Sequence, residues 1–237
     1  MPFLRRSRSE DLTFGTDWDD DHTRRHFISK VCSIVAMQMA VTTIITAIFL
    51  FVEPANDLLM ENPYIKWIAL AGTLLTSLIL ICCNSVARKV PINYILLFVF
   101  TGFMALGVSC MSIYYTTRLI LYAIGITLAI CIALSLFAIF APCDFTGWGP
   151  YLCVLSLVLV LMGLLAFFIR SRILSLVYCS LGLIVFSLYL VYDIQLMVGG
   201  RRNEFSEDDY IIAALGIYID IIYIFIMILG ILGLVDA

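Results

Sequence analysis

Apolar residues fall in seven runs, at about 31–52, 65–86, 92–112, 117–141, 149–169, 173–198 and 209–235. Each is too long for a helix in the core of a soluble domain, because about 20 apolar residues carry a helix across the hydrocarbon. Charges and helix breakers punctuate the runs. Glu53-Pro54 ends the first and Asn62-Pro63 precedes the second, since proline lacks an N–H and disfavours helix just before it. Arg88, Lys89 and Pro91 separate the second from the third. Pro142 to Pro150, with Gly147 and Gly149, breaks the fourth from the fifth. Gly199-Gly200 closes the sixth as a helix C-cap would. The pattern predicts an all-α polytopic membrane protein, with a polar tail over 1–30 and seven transmembrane helices over 31–237.

Composition strengthens this. Of 237 residues, 63% are hydrophobic and 13% charged, about half the charged fraction of a soluble domain. Almost no room is left for a soluble domain, and neither a cofactor nor a nucleic-acid partner is expected. The net charge of -3 matters less than which loops hold the basic residues. The tail and the loops after the second, fourth and sixth runs hold six, two, no and two Lys or Arg, ten in all. The opposite side holds four: Lys66, Arg118, Arg170 and Arg172. The positive-inside rule then places the N-terminus in the cytosol. Seven full crossings put Ala237 on the far side; a last segment that dips in and returns would put it in the cytosol. No apolar stretch precedes Val31, so the first helix is expected to act as its own insertion signal.

The tail carries a basic cluster (Arg5, Arg6, Arg8) and an acidic one (Asp17, Asp19, Asp20, Asp21). Mixed blocks of this kind are expected to be disordered or to lie at the membrane surface. Eight cysteines form no Cys-x-x-Cys pair and read as small buried hydrophobes rather than a metal or disulfide framework.

Against this background two residues stand out. Asp193 lies in the sixth run and Asp220 in the seventh. A carboxylate in hydrocarbon costs several kcal/mol unless it is neutral, paired or facing water, so an intramembrane acid is a functional-site candidate. The loop between the two runs is short, which makes the helices antiparallel neighbours. At 1.5 Å per residue the two depths differ by roughly 10 Å or less. If the carboxyls meet, both cannot ionise cheaply, and they would share a proton. Deprotonated, the pair would take a hard cation such as calcium. The alternative is that each Asp bonds a hydroxyl, from Tyr192, Tyr218 or Ser187, and only holds helices together. Arg88 or Lys89, at the same membrane side as Asp193, is a candidate basic partner for it, or else an ordinary positive-inside flank. The acidic loop Glu204–Asp209, with Glu207 in its middle, reads either as helix capping by Ser206 and Asp209 or as a cation-attracting mouth.

The strings FSLYLVYD over 186–193, SEDDY over 206–210 and IYIDII over 217–222, with RKVPIN over 88–93 upstream, resemble the transmembrane BAX inhibitor motif family. The resemblance spans about residues 25–235. Within the family it is nearest the Golgi anti-apoptotic proteins, and the Arg- and Asp-rich tail and compact length suggest a viral member. The resemblance implies seven helices with the last one central. It implies a pH-sensitive calcium leak across Golgi or endoplasmic reticulum membranes that lowers their calcium and protects from apoptosis, with membrane lipid, calcium ions and host apoptosis or calcium-handling proteins as partners. It assigns the family's paired aspartates to Asp193 and Asp220 and its basic partner to Arg88 or Lys89. One departure is the near absence of a charged C-terminal tail after Leu234, so functions of that tail do not carry over.

Three other activities compete. An intramembrane aspartyl protease also places a Tyr-Asp pair on one helix, but its second Asp follows Gly-x-Gly, where glycines admit a substrate backbone. Here Ile217, Tyr218 and Ile219 precede Asp220, bulky throughout. A secondary transporter would show two halves with matching broken helices, and no such repeat is present. A non-conducting scaffold binding partners through its tail would not need the two acids. No enzymatic activity is expected.

The charge distribution makes a testable statement about topology. On sealed vesicles, protease or label applied from the cytosolic side should reach the N-terminal tail and the Arg201-Arg202 loop. Access to the tail only from the lumenal side would overturn it.

Overall fold

The computed structural model describes residues 10–82 and 88–236, with side chains described for 22–82, 88–206 and 208–236. Among the described residues the elements are helical: α1 (Glu10–Phe51), α2 (Glu53–Glu61), α3 (Ile65–Cys82), α4 (Ile92–Ser112), α5 (Thr117–Phe140), α6 (Gly149–Ile169), α7 (Arg172–Val198) and α8 (Tyr210–Asp236), with a 3-10 turn over Glu207–Asp209 leading into α8. Seven of them are long and apolar enough to cross a membrane, the first as His22–Phe51. The chain is a polytopic membrane protein, and its spans follow the apolar runs to within a few residues, except at the start of the first. The expected end of the second run, 83–86, lies outside the described residues, as do the side chains of the tail clusters.

Two elements differ from expectation. No break separates a tail from the first span: α1 is one helix of 42 residues. Phe27 and Val31, one turn apart and both buried, carry the core-facing stripe straight across the expected boundary. The short α2 was not expected. Pro54, which stops α1, sits in the first turn of α2, where its missing N–H is no loss; Leu59 buries itself and seats the helix.

α8 is central. Two-thirds of its span is buried (67%), against 11% for α6. It packs on α7, α5, α1 and α4, and the fully buried Ala213 and Ala214 allow close approach. On the α1 and α4 side, hydroxyls and amides join the helices. Gln38 Nε2 donates to Thr101 Oγ1 at 3.0 Å, Thr42 Oγ1 and Tyr218 OH meet at 2.7 Å, Ser109 Oγ and Thr46 Oγ1 lie 3.4 Å apart, and Asn93 Nδ2 donates to Tyr210 OH at 3.1 Å. Thr42, Thr101 and Ser109 also donate to the carbonyl four residues back in their own helices.

The loop end of α7 is fastened by fully buried Gln195. Its Oε1 accepts from Phe145 N at 2.8 Å, and its Nε2 donates to the carbonyls of Ala138 (3.2 Å) and Cys143 (3.1 Å). Arg201 adds bonds to the carbonyls of Ala141 and Cys143, each at 2.8 Å, and Asn203 binds Thr146 twice. The α5–α6 and α7–α8 loops therefore form one hydrogen-bonded lid. At the other end Arg172 donates to the Leu234 carbonyl and caps α8. The seven described cysteines are free, but Cys32, Cys82, Cys143 and Cys153 are exposed rather than buried. For those on the spans, the apolar surface they sit in faces lipid, not core.

Truncation should separate these two kinds of polar contact. Gln195→Leu orphans the Phe145 N–H and the Ala138 carbonyl, while Cys143 keeps Arg201, and should cost about 2–3 kcal/mol, whereas Thr42→Val removes one interhelical hydroxyl contact worth about 0.6 kcal/mol in a membrane. Thermal unfolding in detergent should rank Gln195→Leu well below Thr42→Val.

Candidate functional site

α7 and α8 run antiparallel around the loop 199–209, and this places Asp193, near the end of α7, level with the second turn of α8. Gly216 makes the approach possible: a Cβ there would lie 2.2 Å from Asp193 Oδ2. Asp220 follows Gly216 by one turn on the same face, and each carboxyl is within electrostatic reach of the other. Both are buried, at 9% and 3% exposure. The structure thus brings together the two acids singled out from the sequence.

Among the described residues neither acid takes a hydrogen bond from Tyr192, Tyr218 or Ser187. Tyr218 OH is engaged with Thr42, and Tyr189 OH with Ser156 Oγ at 2.8 Å. Asp220 Oδ2 is buried with no hydrogen-bond partner. Besides the two acids themselves, the titratable groups in electrostatic range are Tyr189 and Tyr192 on α7 and Cys131 on α5.

The basic partner expected for Asp193 does not reach it. Arg88 instead binds Asp209, through Nη2 at 2.8 Å and Nε at 3.2 Å to the same carboxylate oxygen. Lys89 is exposed. The reason is depth: Arg88 sits at the loop end, level with the start of α8, while Asp193 lies more than a turn inside α7. Asp209 is the nearer acid and is already at the surface.

The acidic loop is largely occupied as well. Asp209 holds Arg88, and Glu204 Oε2 accepts from Gly200 N at 3.0 Å. Ser206 occupies the N-cap position of the 3-10 turn without a side-chain bond; its carbonyl accepts from Asp209 N at 2.9 Å. Asp208 is exposed. The Glu207 side chain lies outside the described residues. In the neighbouring loop, the hydroxyl and amide of Thr146 and the amide of Arg202 hold the Asp144 carboxyl below the usual carboxylate range. Asp144 therefore stays ionised at neutral and mildly acidic pH and cannot act as a switch there.

Among the described residues no group of three or more His, Cys, Asp or Glu could hold a metal ion. Two carboxylates offer at most four of the six to eight oxygens that calcium takes. The pair suits a passing, partly hydrated cation rather than a resident one. What it can do chemically is hold one proton between two acids, or, without it, present like charges that part or take a cation.

Three further residues shape the site. Gly216 gives no sequence signal beyond a glycine in an apolar run. Gln195, an amide two residues from Asp193 inside a membrane segment, was a readable signal. Arg24 looked like an ordinary flank, yet its guanidinium donates to three carbonyls at the end of α7 and in the following loop.

Comparison with known proteins shows the family. Human protein lifeguard 3 is 38% identical over 226 residues, covering 93% of this chain and 73% of its own length. Mouse protein lifeguard 3 is 37% identical, with 92% and 72% covered. Mouse protein lifeguard 4 is 32% identical over 216 residues, with 91% and 87% covered. The family profile described as inhibitor of apoptosis-promoting Bax1 matches residues 24–237, thus all seven spans and both acids. The chain belongs to that Bax inhibitor family of membrane proteins.

Proposed function

We propose that this protein is a pH-sensitive calcium leak of intracellular membranes, of the Golgi and also of the endoplasmic reticulum, which lowers stored calcium and thereby restrains apoptosis. The observation that carries the reading is the burial of two carboxyls within electrostatic reach of each other, on the central helix and on α7, with no cationic partner among the described residues. A purely structural pair would be expected to carry hydroxyl or cationic partners, since an unpaired carboxyl in hydrocarbon is costly. Family membership supports the anti-apoptotic role. The lid formed by the two loops supports a closed state, because it covers the end of α7 that leads to Asp193.

The gate follows from the chemistry of the pair. With one shared proton the carboxyls hydrogen-bond each other and latch α7 to α8. With both deprotonated they repel, and calcium stabilises the parted form, so calcium binding and proton loss are linked. Flux therefore rises with pH. The protease reading gains no support: Tyr218 is fully buried, edge-on to Phe100, where a substrate backbone would have to pass.

Calcium entry into liposomes holding purified protein tests this. Wild type should pass more calcium as pH rises through one broad transition, by at most about tenfold per pH unit for a single proton. Asp193→Asn and Asp220→Asn should each flatten that dependence, because an amide has no proton to lose. Wild-type pH profiles in both variants would place the gate elsewhere, with Glu207 the next candidate.

Aspartyl protease transition-state inhibitors should leave the flux unchanged. Cleavage of a model transmembrane substrate that Asp220→Ala abolishes would overturn the non-protease reading.

A further inference from the structure

Arg24 is the most heavily engaged cation in the described structure. Its Nη2 donates to the Leu196 carbonyl at 2.6 Å, its Nε to the Val198 carbonyl at 3.2 Å, and its Nη1 to the Phe205 carbonyl at 2.8 Å. The guanidinium carbon lies 5.1 Å from the Phe27 ring centroid. Leu196 and Val198 belong to the last turn of α7, whose carbonyls have no partner within the helix and carry the negative end of its dipole. Phe205 lies across the loop, five residues before α8 begins at Tyr210, and its own N–H also returns to the Leu196 carbonyl, at 3.2 Å. One side chain of α1 thus ties together the end of α7 and the loop that leads to α8.

The backbone makes room for it. Gly199 has φ +74°, and a Cβ there would lie 2.6 Å from both Arg24 Nη2 and Glu204 Oε2. Glu204 flanks the same glycine, where its Oε2 accepts from Gly200 N at 3.0 Å. Asp193 sits one turn before Leu196 on α7, pressed on Gly216, so α7 cannot leave α8 at Asp193 while its end is held.

We infer that Arg24 is a positioning residue for the acid pair: it clamps the end of α7 and so favours the latched state, which makes the polar end of α1 part of the gate. The inference rests on the reading of the pair as a pH gate. Around the pair the groups that titrate or carry charge are Asp220 on α8, Tyr189 and Tyr192 on α7, and Cys131 on α5; α1 contributes Arg24 only through the α7 carbonyls. Losing the clamp weakens the closed state without altering the acids.

The test is the calcium flux of Arg24→Ala, Arg24→Gln and Arg24→Lys in liposomes across pH, with hydrogen exchange of the 196–205 amides measured in parallel. Arg24→Ala and Arg24→Gln should pass about tenfold more calcium at the pH where wild type is shut, the factor for losing about one charged hydrogen bond, and the transition should move to lower pH. Lysine cannot make the three-way fork and should fall between. The amides of Gly199 and Phe205 should exchange faster in all three, and Arg24→Ala should change nothing further when Asp193 is already Asn. An unshifted transition in the glutamine and lysine variants, with wild type still pH-dependent and Asp193→Asn still flat, overturns the clamp and leaves the gate standing. A wild type without pH dependence, or one that Asp193→Asn does not flatten, removes the gate and the clamp with it.

Discussion

Two buried carboxyls, Asp193 on α7 and Asp220 on the central helix, lie within electrostatic reach of each other, and among the described residues no cation pairs with either; that constraint governs the α7–α8 interface. Either acid alone would be expensive in a core surrounded by lipid. On the proposed reading they hold one proton in common, and that requires the two helices to stay at a fixed separation. Gly216 supplies the separation, since a methyl group at that position would collide with Asp193. The lid of loops and the fully buried Gln195 hold α7 from the other side. Local cost at the pair is thus met by geometry distributed over four segments.

Most of the fold was legible because hydrophobic length is a strong signal in a membrane protein. Each apolar run had to be a helix, and prolines and glycines marked its ends. The same signal hid the start of α1. Polar residues before Val31 look like a tail, yet Phe27 continues the buried stripe one turn further out, and a stripe of one residue per turn cannot be seen against charged neighbours. α2 was hidden for a related reason, since a proline read as a stop was also a start.

The site was legible in part. Asp193 and Asp220 were visible because acids in apolar runs are rare, and their antiparallel pairing followed from the short loop. The partner of Arg88 was not, because side chains at a helix end choose among several acids by depth, and a difference of a turn decided for Asp209 over Asp193. Nor could the three carbonyls that Arg24 holds be seen, since backbone acceptors leave no mark in a sequence.

The hydroxyls of Thr42, Thr101 and Ser109 have a consequence of their own. Each already donates to a carbonyl in its own helix, so each keeps a partner even when the neighbouring helix slides away. On that side α8 rests on something like a bearing: α1 and α4 can slip along it at the loss of few bonds, chiefly those that join Tyr218 to Thr42 and Asn93 to Tyr210. The α7 side has no such reserve, for a carboxyl that loses its neighbour finds no replacement within its helix. Displacement of the central helix is therefore cheap against one wall and resisted by the other, and the direction of easiest motion is along the hydroxyl face.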